Sequence, residues 1–300
     1  MAWDTEAAAA RWSGRPLVAL ESSVFAQGLR QPVNRAAHRR MCDAVRAAGA
    51  VPAVTGVVGG RPSVGLDDET LERFFAGAPQ KMSARDMPWA VAQGLDGATT
   101  VAASLVIAAL AGVEVFATGG IGGVHRDAPF DESADLLELA RCSVVTVCAG
   151  AKAILDLPAT LERLETHGVT VVGYRTTEFP GFFTAKTGLP LTAVAHTPAD
   201  IARTFLAGRA LGRPGALLVV QPPPAGEALA AAVVATAVDA VLRSAAAAGI
   251  RGTAVTPFLL AAVERATEGG SVRANIGLLE SNARLAGEIA VAIAEERGTD

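Results

Sequence analysis

Only three of the 26 basic side chains in this 300-residue chain are lysines, Lys81, Lys152 and Lys186. Guanidinium keeps its proton, so arginine cannot stand in where a neutral amine must attack. Each lysine is therefore a candidate for amine chemistry. Lys152 closes the segment CAGAK, directly after an apolar run. Desolvation there would disfavour the ammonium and ready the amine for a Schiff base with a carbonyl. The plainer alternative is a lysine snorkelling from a helix start. Glu21 follows the apolar segment PLVAL. A carboxylate buried at that point is costly unless a lysine or metal offsets it. Its alternative is a strand-end side chain turned to water.

A third candidate is the run Thr118 to Arg126, TGGIGGVHR. Four glycines let backbone N–H groups approach an anion, with Thr118, His125 and Arg126 as side-chain donors. The run is neither a Walker A sequence nor GxGxxG, and a merely tight turn is the competing reading. Lys81, Thr99 and Thr100 could complete a phosphate site. In FDESAD, Asp131 or Ser133 suits a helix N-cap, and a neighbouring carboxylate suits a hard divalent ion. His38, His167 and His196 lack companion ligands and read as structural or exposed.

These residues must be carried by an alternation of short apolar strands and helices. Strands are expected at 16–20, 51–58, 63–64, 115–117, 143–147, 169–172 and 216–220, with the second and third forming a hairpin. Helices are expected at 32–48, 67–75, 98–111, 134–140, 158–167, 198–211, 227–248, 257–267 and 276–296. Alternation through residue 220 implies an α/β layered sheet, a single domain over 16–300 whose helical C-terminal third packs on the same core. Residues 1–15 read as a flexible N-terminal segment. In such sheets ligands sit at the carboxyl ends of strands, which is where Glu21, the glycine run, Lys152 and Tyr174 to Phe183 fall.

Composition narrows the partner. The chain is 51% hydrophobic and 19% charged, with a net charge of -4 and no basic block, so nucleic acid is not expected. Its apolar runs fall short of a membrane span and its start lacks a secretory pattern, which points to a cytoplasmic protein with a small-molecule substrate. Cys42, Cys142 and Cys148 have neither zinc nor disulfide spacing and read as reduced and buried.

The segments ALESS, VGLDDETLERF, KMSARDMPWAVAQGLDGATTVAAS, VFATGGIGGVHR, FDESADLLEL, VVTVCAGAKAILD, TLERLETHGVTVVGY, EFPGF, AVTPFLL and ANIGLLESNARLA occur in that order. Together they resemble the pseudouridine-5'-phosphate glycosidase family, also called indigoidine synthase A-like, from about residue 16 to 290. The resemblance implies a three-layer α/β/α sandwich, usually a homotrimer with a divalent metal, commonly manganese (Mn2+), at each site. It implies reversible exchange of pseudouridine 5'-phosphate and water with uracil and ribose 5-phosphate. By position it places the general acid on Glu21, the lysine nucleophile on Lys152 and the sugar-phosphate lysine on Lys81. Substrate contacts fall on Thr100, Val101, Thr118, His125, Ser133, Ala134, Asp135 and Asn275, and the metal-linked aspartate on Asp131.

A carbon–carbon glycosidic bond offers no leaving oxygen to protonate, so the usual pair of carboxylates has nothing to expel. The resemblance implies imine chemistry instead: Glu21 protonates the ring oxygen and Lys152 holds C1' of the opened sugar. Two segments depart from the family pattern. Gln27 stands where the family typically has a histidine, and Thr176 and Thr177 lie in YRTTEFPGF where it typically reads YGTDEFPAF. Gln27 and Thr176 are thus candidates for base specificity. A specialised C-glycosynthase, joining ribose 5-phosphate to a ring other than uracil, is the alternative activity. A sugar-phosphate binding protein would not need Glu21, Lys81 and Lys152 together, and a phosphotransferase would need a nucleotide motif that the sequence lacks.

Overall fold

The computed structural model describes residues 1–126, 130–247, 264 and 269–298. Thirteen strands are placed among them: β1 (Ala2–Trp3), β2 (Leu17–Glu21), β3 (Val51–Val58), β4 (Arg61–Val64), β5 (Gln80–Met82), β6 (Gly97–Thr99), β7 (Val115–Ala117), β8 (Val124–His125), β9 (Val145–Cys148), β10 (Leu155–Asp156), β11 (Thr170–Tyr174), β12 (Val194–Ala195) and β13 (Leu217–Val220). The helices are α1 (Thr5–Trp12), α2 (Val33–Ala47), α3 (Asp68–Phe75), α4 (Met87–Gln93), α5 (Val101–Ala111), α6 (Ala134–Arg141), α7 (Leu157–Thr166), α8 (Pro198–Ala210), α9 (Ala231–Ala247) and α10 (Gly270–Gly298). One large mixed sheet runs β1-β4-β3-β2-β7-β9-β13-β11-β12, with β5 and β6 attached through β3. Strands β2, β7, β9, β13 and β11 are mutually parallel and β3/β4 is the expected hairpin. Helix α10 packs with α2 and α8 against β2, β7 and β9, while α5 packs with α6 against strands of the same sheet, so helices cover both faces.

Strand neighbours explain the site's location. The chain leaves β2 for β3 on one side of the sheet and later returns as β7 on the other, so β2/β7 is the point where the strand order reverses. Loops leaving the two strands part there and open a crevice. Several expectations need correction. Residues 1–15 are not a loose segment: β1 pairs with β4, and α1 is capped by Asp4 and buries Ala7 and Ala10 completely. Thr99 belongs to β6, where it pairs with Met82 of β5 and donates its N–H to Ser22 Oγ at 2.8 Å, so α5 starts at Val101 with Thr100 as its cap. Helix α9 starts at Ala231 because the Leu229 N–H donates to the Phe183 carbonyl. The helix expected at 257–267 and the segment AVTPFLL (254–260) lie outside the described residues, Glu264 apart.

Candidate active site

Three loops leave the parallel strands β7, β9 and β11 at the same edge of the sheet and lock onto one another. After β7, the glycine run exchanges backbone hydrogen bonds with the segment after β9: Ala149 N to Gly119 O at 2.9 Å, Ile121 N to Gly150 O at 3.0 Å and Lys152 N to Ile121 O at 3.1 Å. Phe182 N donates to Ala149 O at 2.9 Å, which adds the loop after β11. Gly150 makes this possible. Its φ is +83°, and a Cβ there would lie 2.0 Å from the Pro180 carbonyl oxygen. Phe182, a bulky residue at φ +63°, leans its ring over Gly120, a strained conformation at the cavity wall.

Glu21, Lys81 and Lys152 line one small cavity of about 60 Å3, together with Gln27, Asn275 and Phe182. Glu21 is buried, and its Oε1 accepts from the Thr118 hydroxyl at 3.1 Å. Burial raises its pKa above the ordinary carboxylate value and the Asp135 charge adds to this, while Lys152, the Thr118 hydroxyl and Lys81 pull the other way. The Lys81 ammonium is lowered by partial desolvation and by the Lys152 charge, against Glu21 and Asp135. The site thus holds a carboxyl inclined to keep its proton beside two amines, the combination an imine-forming acid catalyst needs.

The residues expected to contact the sugar phosphate are arranged around Asp135 rather than around an open cradle. Asp135 is buried, and its oxygens accept from Gly122 N at 2.8 Å and Ala102 N at 3.0 Å, tying the glycine run to the start of α5. Ser133 caps α6 and fills the space over Gly122, where a Cβ would lie 2.2 Å from its Oγ. Thr100, Val101, Ser133 and Ala134 therefore mark two helix N-termini meeting at the glycine run, a setting that suits an anion. Thr118 is wholly buried, with its hydroxyl given to Glu21. His125 lies on β8, outside the cavity wall, and donates its backbone N–H to Asp131 O. Glu132 is engaged by Arg163 at 2.9 Å, which leaves Asp131 as the carboxylate this segment offers to an ion. Among the described residues no group of three His, Cys, Asp or Glu side chains converges on a metal position. A hard divalent ion bound through one carboxylate, with water filling its shell, fits that donor set.

Gln27, expected beside the base, sits in a single π-helical turn, Val24–Gly28, too short to show a period in the sequence. Its Nε2 donates to Pro79 O at 2.9 Å, while its buried Oε1 has no partner among the described residues. Asn275 Oδ1, across the cavity wall, is likewise buried without a partner. Both residues also border a neighbouring cavity of about 190 Å3. Thr176 lines neither cavity: its hydroxyl closes a turn with Glu178 at 3.0 Å, so the structure gives it no place beside a base. The three cysteines are free and buried, and burial pushes Cys148 up to about 12, which agrees with inert thiols. His38 is held between Phe25 and Phe75 and pushed down to about 4, which agrees with a structural role.

The family model for indigoidine synthase A like protein matches residues 6–292. A pseudouridine-5'-phosphate glycosidase of Gemmatimonas aurantiaca is 63% identical over 283 residues, covering 94% of this chain and 92% of that protein. Another, of Roseiflexus sp., is 53% identical over 300 residues, covering 98% and 96%. Among solved structures, the prealnumycin C-glycosynthase AlnA in complex with ribulose 5-phosphate superposes with a TM-score of 0.92 at 39% identity, covering 99% of this chain and 98% of that one. An indigoidine synthase A-like protein of Thermotoga maritima gives 0.88 at 34%, covering 94% of each. With the fold, the strand-end site and near-complete coverage in agreement, the chain belongs to the indigoidine synthase A-like family.

Proposed function

We propose that the protein makes and breaks the carbon–carbon glycosidic bond of pseudouridine 5'-phosphate, exchanging it and water with uracil and ribose 5-phosphate. One observation carries this reading: a buried carboxyl, Glu21, its pKa raised by burial, shares a cavity with two of the chain's three lysines. In cleavage, the Lys152 amine displaces the ring oxygen from C1', and that oxygen takes the Glu21 proton. The attached nitrogen gives a proton to the Glu21 carboxylate, its freed lone pair forms the imine at C1' as C1'–C5 breaks, and the electron pair left on carbon 5 of the base takes that proton from Glu21. Water hydrolyses the imine to ribose 5-phosphate and free Lys152. The unpartnered Gln27 Oε1 and Asn275 Oδ1 suit a ring that presents N–H donors, as uracil does.

The likeness to AlnA supports a second reading, in which another ring attacks the same sugar imine. Asp131 would hold the divalent ion, which when bound orders water beside the sugar. A homotrimer in the cytoplasm completes the reading on family resemblance, and light scattering of the purified protein tests the trimer. Among the described residues no helix is long and apolar enough to cross a membrane.

Borohydride reduction with ribose 5-phosphate tests the imine. We expect a reduced sugar-phosphate adduct on the Lys152 peptide and none in Lys152→Arg, which keeps the charge but cannot form the bond. An adduct confined to Lys81 or Lys186 overturns the assignment. With ribose 5-phosphate and no borohydride, uracil should yield pseudouridine 5'-phosphate; a carbon-linked product from other rings alone favours the second reading.

A further inference from the structure

Asn282 lies on the buried face of α10, wholly closed to solvent and outside the cavity that Glu21 lines. Its amide is fully engaged. Oδ1 accepts from Gln221 Nε2 at 2.9 Å, and Nδ2 donates to Thr118 O at 2.8 Å and to Gly119 O at 3.4 Å. Gln221 follows β13 and Thr118 follows β7, so one side chain ties the C-terminal helix to two strand ends. An apolar residue would fill this space without the cost of burying an amide. The hydrogen bonds end on the residue whose hydroxyl donates to Glu21 Oε1 at 3.1 Å.

We infer that Asn282 is a positioning residue for the general acid: it fixes the Thr118 peptide so that the Thr118 hydroxyl meets Glu21. This rests on the reading of Glu21 as the acid. The groups facing Glu21 are Lys152, Asp135, Thr118 and Lys81. Asn282 hydrogen-bonds to none of the charged ones, and its short bond, 2.8 Å to the Thr118 carbonyl against 3.4 Å to that of Gly119, makes the Thr118 peptide its main route to Glu21. The hydroxyl favours the ionised carboxylate. When it is misplaced, Glu21 keeps its proton to higher pH. An acid catalyst acts while protonated, so the alkaline limb of the cleavage profile moves upward.

The test is the pH profile of kcat/KM for pseudouridine 5'-phosphate in wild type, Asn282→Ala, Thr118→Val and the double variant. Asn282→Ala should move the alkaline limb to higher pH and lower kcat by about 10²-fold, the scale of a misplacement of about 1 Å, with KM little changed. The double variant should match Thr118→Val, because both changes act through one hydroxyl. Gln221→Leu, which frees the Asn282 amide, should move the limb in the same direction and carries the test if Asn282→Ala does not fold. A limb that stays in place, or shifts that add in the double variant, overturns the inference. A wild type that cleaves no C-glycoside and traps no sugar overturns the reading of function, and this inference with it.

Discussion

Glu21 is the residue whose environment separates catalysis from stability. Its folded-state pKa lies above the ordinary 4.5 because burial penalises the carboxylate. The native state therefore holds this proton more tightly than the unfolded chain. The associated stability is present below the ordinary carboxylate range and is lost as pH rises through the folded value. Glu21→Gln keeps the shape and removes the titration. It should lose turnover at every pH yet melt above wild type, with the gap widening as pH rises from 4.5. Thermal melts across pH check this, and a gap that stays constant would show that burial is not what holds the proton. At this scale the sequence was informative where residue type is scarce or out of place: three lysines among 26 basic residues, and a glutamate after PLVAL. Asn282 gave no such sign, because a polar residue in an apolar helical stripe shows its use only once the strand ends it reaches are known.

Elements explain why these residues meet. The expectation that ligands gather at strand ends depended on local pattern alone, whereas the adjacency of β2, β7 and β9 is a long-range fact with no local trace. The short strands β5 and β6 and the π-helical turn bearing Gln27 were missed for a related reason: each is too short to display a period and is held by partners distant in sequence. Glycine gives the sharpest contrast. In the turn after β9, Gly150→Ala would force a side chain into the left-handed region and against the Pro180 carbonyl. A cost of about 3 kcal/mol or more is expected, with loss of activity as Lys152 moves. In α8, Gly208 has open space around its Cβ position, so Gly208→Ala should instead stabilise by up to about 1 kcal/mol. Denaturant unfolding of the two variants checks both signs, and a Gly150→Ala protein as stable as wild type would mean that the three loops are not locked as described.

For the molecule as a whole, the sequence correctly implied one α/β layered domain but misjudged where it begins. An alanine-rich start with scattered charges carries little hydrophobic signal, and residues 1–15 therefore read as loose. Small side chains are what allow the close approach: Ala7 and Ala10 are fully buried, and α1 lies against β2 and β3. Polar anchors fix its direction, since Asp4 caps the helix over Gly65 and Glu6 pairs with Arg46 of α2 at 2.7 Å. Strand β1 also covers the outer edge of β4. Deleting residues 1–15 would expose that edge, which invites association with other chains, and would uncover part of the core beneath α1. Two lost methyl contacts account for about 1.6 kcal/mol, and the void left under the helix brings the expected loss to roughly 3 kcal/mol. In a chain of this size that lowers the melting temperature by roughly 5 to 10 °C. None of residues 1–15 lines the cavity that holds Glu21 and Lys152, and β1 is separated from β2 by β4 and β3, so the truncated protein should still trap ribose 5-phosphate on Lys152 at low temperature. Melting and trapping measured side by side decide the matter: an unchanged melting temperature would return residues 1–15 to the status of a loose segment, and a lost adduct in a folded protein would show that α1 reaches the catalytic end of the sheet.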